Sequence, residues 1–304
     1  MDVVLETVFN LCGTDLLPVA IPLLIYWIYR SRKIKNDLKG KVVLITGANS
    51  GLGEALAYVF YTAGCKLILA ARRVDQLERV KSDLLKLNAE SETFEPVILP
   101  LDLSELETIP QKALEALETY KQVNILINNA GISFRGNIVE TSLEVHMKVM
   151  CVNYFGQIAL TKALLPSLIK CNGHVLAVSS IQGRIALPFR SAYAASKHAL
   201  QAYMECLRAE IPEIKVSVIN PGYIKTNLSV NAVTGSGEVY GVLDTSTEKG
   251  YTPKYVAEEI LRAVIMEKKE LIVSPLLPKM AILFRILTPS LFFYFIRLWA
   301  KRKK

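Results

Sequence analysis

The chain has 304 residues, enough for one large α/β domain or two small ones, and at 51% hydrophobic with a mean hydropathy of +0.30 it is apolar enough to predict a lipid-contacting segment. Its five scattered cysteines (Cys12, Cys65, Cys151, Cys171, Cys206) are odd in number and lack CxxC spacing, which argues against a disulfide framework or a zinc site and suits a reducing compartment. The net charge of +8 sits at the ends, with seven basic and no acidic residues from Leu271 onward and four basic against three acidic in 1–36, so the neutral middle offers no groove for nucleic acid.

From Leu11 to Tyr29 runs a 19-residue apolar stretch interrupted only by Asp15, close to the ~20 residues of a bilayer core. Pro18 and Pro22 are tolerated in membrane spans. Tyr26, Trp27 and Tyr29 occupy the place of an interfacial belt, and Arg30, Arg32, Lys33 and Lys35 follow at once. A cleaved signal peptide has the opposite order. The pattern predicts an N-terminal membrane anchor; the alternative is an amphipathic helix packed on the body. The positive-inside rule puts the body in the cytosol. The sequon Asn227-Leu228-Ser229 speaks for the other side, since it is usable only in a lumen.

Beyond Gly40, short apolar runs alternate with helical stretches. KVVLIT, KLILA, PVILPLD, VNILINN, GHVLAVSS, KVSVIN and ELIVS read as strands. Between them lie helices, of which the longest are expected at about 143–170 and across SAYAASKHALQAYMECLRAE. Continuously apolar strands with helical crossovers predict a doubly wound parallel sheet of the Rossmann type. The expected division is an anchor and basic flank over 1–36, a catalytic domain over 37–275, and an apolar, basic segment over 276–304. The last, broken by Arg285, Pro289 and Arg297, reads as a helix lying in a membrane interface.

TGANSGLG follows the first strand. Gly47, Gly51 and Gly53 allow a tight turn and close approach of a pyrophosphate to a helix N-terminus, though such a turn alone can be purely structural. The second strand ends in Ala71-Arg72-Arg73. Arginine in place of the ribose-binding acid favours a 2′-phosphate, hence NADP(H) ahead of NAD(H); a solvated basic loop is the plainer alternative. Asp102 and the NNAG run, with Asn129, fall at strand carboxyl ends, where ligands bind. Asp102 could face the adenine; the alternative is local, a capping box of Ser104 and Glu107 whose turn Asp102 assists. Tyr193 and Lys197, four apart in YAASK, share one helix face.

In this order, TGANSGLG, NNAG, Asn153 in VNYFG, Ser180, YAASK and PGYIKT resemble the short-chain dehydrogenase/reductases, over essentially all of 40–275. The resemblance implies Tyr193 as general acid/base, Lys197 as the charge that lowers the phenol pKa and as a ligand of the nicotinamide ribose, Ser180 as the group on the substrate oxygen, and Asn153 as holder of a proton-relay water. It also implies cofactor contacts from Ser50, Leu52 and Thr226, a homodimer, and a mobile substrate lid over 227–250. Nothing in this set is missing. The three histidines, His146, His174 and His198, match no family role, and no metal is implied.

The leading expectation is a membrane-anchored, NADPH-preferring reductase of a lipophilic carbonyl: a steroid, a retinoid, or a lipid ketone. One subgroup of the family, resembled through NYFGQIALTKALLPS and PGYIKTNLSVNAV, adds acyl- or alkyl-dihydroxyacetone phosphate, for which Arg184 and Arg190 are candidate cationic partners. The expected site is the endoplasmic reticulum membrane, or the peroxisomal one, with the body facing the cytosol. A cofactor-binding scaffold with little turnover is the rival.

Overall fold

Strands that are apolar at every position must be covered on both faces, and the fold covers them. The structure, a computed structural model, describes residues 38–87 and 93–302. The expected anchor at 11–29 and the basic flank after it lie outside the described residues. Among the described residues no helix is long and apolar enough to cross a membrane.

In chain order the first half comprises β1 (Val42–Thr46), α1 (Gly51–Thr62), β2 (Lys66–Ala71), α2 (Val74–Leu85), β3 (Val97–Pro100), α3 (Ile109–Tyr120) and β4 (Ile125–Asn128). There follow a two-residue β5 (Phe134–Arg135), α4 (Leu143–Met150), α5 (Gly156–Lys170), β6 (His174–Val178) and α6 (Ser191–Glu210). The last part holds β7 (Lys215–Pro221), a short β8 (Val233–Thr234), α7 (Thr245–Glu248), α8 (Pro253–Ile265), β9 (Glu270–Val273), α9 (Leu276–Leu287) and α10 (Pro289–Lys301).

Seven strands form one parallel sheet in the order β3-β2-β1-β4-β6-β7-β9. The winding reverses between β1 and β4, which opens a crevice at the carboxyl ends of those strands. Alternation decides which helices cover which face. Val42 and Leu44 pack with α3, α5 and α6, through residues such as Ile109, Leu160, Leu164, Leu200 and Met204. The opposite face is covered by helices with buried apolar stripes, Leu56 and Phe60 on α1 and Val256 and Ile260 on α8; α1 and α8 pack together.

Two local features depart from the expected pattern. The helix predicted at 143–170 is continuous but contains a π-helical turn, Cys151–Phe155, between α4 and α5. One extra residue in that turn rotates Asn153 fully inward. The parallel pairing of β5 with β8 joins the stretch after NNAG to the 227–250 segment. Two-residue strands leave no periodicity to read.

The histidines are structural. His198 Nδ1 lies 2.9 Å from the Ala194 carbonyl, and His146 packs against Phe134. His174, at the start of β6, is buried with Nε2 2.8 Å from Ser217 Oγ. Burial, aided by the Lys215 charge, pushes its imidazole down to about 3. The unfolded chain takes up this proton near pH ~6.5. Between those values the unfolded state binds more protons, so stability falls as pH drops from about 6.5 toward 3, by roughly 1.4 kcal/mol per pH unit from this group. Denaturant unfolding across that range should lose about one proton's worth of slope in His174→Gln; an unchanged slope would assign the acid sensitivity elsewhere.

Candidate active site

The crevice between β1 and β4 opens into a cavity of about 1370 Å³. Gly47, Ser50, Gly51, Leu52, Gly53, Arg72, Asp102, Asn129, Ser180, Tyr193, Lys197 and Thr226 all line it. Asn153 does not; it lies one layer behind.

The floor is the β1–α1 turn. Gly47 and Gly51 have φ of +68° and +59°, a region that L side chains avoid. A Cβ at Gly53 would stand 2.0 Å from the Gly47 carbonyl oxygen and 2.7 Å from Asn129 Nδ2. Only glycine fits there. Ser50 is the N-cap of α1 in extended conformation, and its side chain makes no capping bond. The first N–H groups of α1 are therefore left to an anion in the cavity. Asn129 shapes this floor rather than reaching from it: its Nδ2 donates to the Thr46 carbonyl at 2.9 Å. Thr226 closes the turn from the other side, its methyl 3.2 Å from where a Gly51 Cβ would lie.

At the end of β2 two guanidinium groups face the cavity. Arg72 is largely exposed and lies 3.6 Å from the Asp102 carboxylate. Arg73 turns back onto the glycine turn, donating to Ser50 Oγ at 3.4 Å and, with the Asn49 amide oxygen facing it, to Asn49 at 2.6 and 2.9 Å. Burial opposes ionisation of Asp102, but bonds from the Ser104 hydroxyl and amide, with the Arg72 charge, outweigh it and hold the carboxyl below its ordinary value. The expected capping box is absent. Ser104 donates both its amide and its hydroxyl to Asp102 Oδ1, at 2.8 and 2.6 Å, and the turn that follows begins at Glu105 with no side-chain cap.

The far wall holds the YAASK pair. Tyr193 and Lys197, one turn apart on α6, are both buried, with Nζ 5.8 Å from the phenol ring centroid. Nζ donates to the Val178 carbonyl at 2.8 Å, and Ser179 Oγ donates to the Lys197 carbonyl at 3.2 Å, so β6 fixes the lysine. Burial pushes Lys197 down to about 8. Burial also raises Tyr193; the Ser180 hydroxyl and the Arg135 charge pull the other way without prevailing. Burial is the largest influence on the phenol, and among the charges that act on it Arg135 is the cation that favours the phenolate. Asn153 is likewise a brace: Oδ1 accepts from the Ile132 amide at 2.8 Å, while Nδ2 donates to the Ile132 carbonyl at 2.9 Å and to Ser196 Oγ at 3.0 Å.

Residues 227–250, the expected lid, form a flap tied to the body at several points. The Val233 amide donates to the Ser133 carbonyl at 2.9 Å. Asp244 accepts from Arg135 at 2.9 and 2.5 Å and pairs with Arg190 at 3.2 Å. Burial beside Arg135 pushes Arg190 down to about 10, still fully protonated at neutral pH. Arg135, which lines the cavity, escaped the sequence reading because nothing local marks it; its partner is 109 residues away. Arg190 is behind the wall, and Arg184 points elsewhere, paired with Glu205 and Glu270 at 3.5 and 3.6 Å, so neither candidate reaches the cavity directly.

Known proteins share this arrangement. The family model described as short chain dehydrogenase matches residues 41–236. A Drosophila melanogaster protein called Dehydrogenase/reductase SDR family protein 7-like is 53% identical over 288 residues, which cover 93% of this chain and 88% of that one. Dehydrogenase/reductase SDR family member 7B of Mus musculus is 48% identical over 273 residues, covering 89% and 84%. The alcohol dehydrogenase of the archaeon Thermococcus sibiricus, complexed with 5-hydroxy-NADP, matches with a TM-score of 0.67 at 28% identity, over 77% of this chain and 96% of that one. A short chain dehydrogenase/reductase from Burkholderia phymatum in complex with NAD matches with a TM-score of 0.68 at 25% identity, over 77% and 89%.

The flap makes a direct test of the charge cluster. Asp244→Ala would leave two partly buried guanidinium groups facing each other without a counter-charge. A loss of about 3 kcal/mol is expected, together with faster proteolytic cleavage within 227–250. Wild-type cleavage kinetics in the variant would show that the flap is held by its backbone bonds alone.

Proposed function

The chain belongs to the short-chain dehydrogenase/reductase family, and we propose that it reduces the carbonyl of a lipophilic substrate with NADPH. The observation that carries this is the meeting, in one cavity, of Ser180, Tyr193 and Lys197 with the uncapped N-terminus of α1.

The residues fit a nicotinamide dinucleotide. The Gly47–Gly53 turn and the amides of α1 suit a pyrophosphate, and the cradle admits no Cβ at Gly53. Arg72 and Arg73 are placed for a 2′-phosphate, which supports NADP(H) over NAD(H). When bound, such a cofactor supplies hydride to the carbonyl carbon. The chain supplies the rest. Ser180 holds the carbonyl oxygen and stabilises negative charge as it develops there. Tyr193 gives that oxygen its proton; a phenol is protonated at neutral pH and burial raises it further, so the group is available as a donor. Lys197, near 8, is cationic at neutral pH yet close enough to titration to pass a proton on toward Tyr193. Asn153 and Val178 hold the wall in register.

The lining supports a lipophilic substrate. Ile132, Ile181, Ile185, Leu187 and Val233 give apolar walls, while Arg135 belongs to a cluster of two guanidinium groups and one carboxylate. Arg135 is paired with Asp244, and the second guanidinium, Arg190, stands behind the wall; a phosphate-bearing lipid ketone, such as an acyl- or alkyl-dihydroxyacetone phosphate, would meet Arg135 only by sharing it with Asp244. Asn227 lines the cavity, so a glycan there would stand in the substrate's path; this supports a body on the cytosolic side of an endoplasmic reticulum or peroxisomal membrane.

Purified protein with NADPH and a lipid ketone should yield the alcohol, and Tyr193→Phe should lower the rate by about 10²–10⁴-fold while retaining cofactor binding. A variant with full activity in cells would favour the scaffold reading instead. In Arg72→Ala the affinity ratio of NADPH to NADH should fall at least about tenfold, the worth of one charge-assisted bond. An unchanged ratio would pass the phosphate to Arg73.

A further inference from the structure

The helix pair α9–α10 follows the last strand and is thinly attached. Its buried side chains are Ile282 on α9 and Phe292 on α10, which pack with Ile181 and Ile185. Those two isoleucines come directly after Ser180 and line the cavity. Ala281, Phe284 and Ile296 pack partly against this cluster, while most of the other large apolar side chains of the pair are exposed. On α9, Leu276, Met280, Leu283 and Leu287 are exposed at helical spacing; on α10, Leu291, Tyr294, Phe295 and Leu298 repeat the pattern. Leu276 and Leu287 are 72% and 68% exposed, far more than a face covered by its own domain would be.

Charge selects the occupant of this face. Lys279, Arg285, Arg297, Lys301 and Arg302 lie on or beside the two helices, and no acid follows Glu270. A second copy of the chain, docked by the same face across a two-fold axis, would bring cations against cations. An anionic lipid surface complements them, and long basic side chains can reach headgroups while the apolar stripe sinks between acyl chains. With 12 and 13 residues the helices are too short to span ~20 residues' worth of bilayer, but they can lie in its plane.

We propose that α9–α10 is a membrane-docking surface for anionic lipid, seated in the interface beside the mouth of the cavity. The wall is continuous: Leu277, Pro278 and Ala281 of α9 line the cavity, and Leu277 is also 80% exposed. Docking therefore sets one wall of the substrate cavity at the level of the acyl chains. The docking surface stands on the exposure and charge of the helices; the delivery of substrate through it rests on the lipophilic-substrate reading.

Two tryptophans, Trp27 and Trp299, make the test specific. In the full-length chain carrying Trp27→Phe, Trp299 on α10 is the sole tryptophan. With phosphatidylcholine vesicles containing phosphatidylserine, its emission should shift to the blue and be quenched by acyl-brominated lipid. Neutral vesicles or high salt should weaken the response, because the cations act through screened Coulomb attraction. Leu283→Glu with Leu287→Glu, and separately Arg297→Glu with Lys301→Glu, should lower the Trp299-reported partition at least about tenfold. Emission that ignores lipid while the chain sediments with vesicles would overturn the proposal, as would a blue emission that tracks protein concentration instead, the mark of a second copy. A Trp299 already blue and insensitive to both would mean the 11–29 span covers the face, and would overturn it too. The readout needs no turnover, so its failure is distinguishable from failure of the oxidoreductase reading.

Discussion

One hydroxyl clasps the two halves of the sheet where the site is built. Thr46 Oγ1, at the end of β1, donates to the Ile127 carbonyl at 3.2 Å and accepts from the Asn129 and Ala130 amides at 2.9 and 3.0 Å. Asn129 returns a bond to the Thr46 carbonyl. β1 and β4 are the strands at which the winding reverses, so the chain must leave them in opposite directions. Unclasped, their carboxyl ends would splay and orphan buried backbone groups. Clasped, they hold Asn129 against the glycine turn so closely that Gly53 has no room for a side chain. The cradle at the start of α1 is a consequence of that approach.

Desolvation governs the other wall. Tyr193 and Lys197 are buried together, and burial moves each toward its neutral form. The phenol is raised and the ammonium is lowered to about 8, both at the cavity wall. The cluster at the flap shows the same constraint resolved differently. Arg135 and Arg190 cannot shed their charge, so the fold spends an aspartate from the flap to neutralise part of it. That one carboxylate ties the flap to both arginines.

Much of this was legible in the residues. The seven main-sheet strands could be read because parallel strands buried on both faces are apolar throughout, and α6 could be read because Tyr193, Lys197, Leu200 and Met204 repeat on one face. The cavity residues named from motifs line it almost without exception because they sit at strand ends, positions that topology alone sends to the same edge. Asn153 is the instructive departure. Its place in the chain was evident, but a π-helical turn, which has no sequence period of its own, makes it a brace behind the wall. Ser104 departs from the expected cap as well, its amide and hydroxyl both donating to Asp102 Oδ1.

By itself the sequence determined the α/β class, the order of strands and helices, the glycine turn, the YAASK pair and the separation of a neutral body from basic, apolar ends. These are local or periodic, set by φ, by side-chain alternation and by charge along the chain. Only the tertiary structure decided that Arg135, Arg190 and Asp244 meet, that Tyr193 and Lys197 are buried together against β6, and that the apolar stripe of α9–α10 begins at the cavity wall. Each of those depends on contacts across tens to a hundred residues, or on exclusion of water, which no stretch of sequence expresses until the chain has folded.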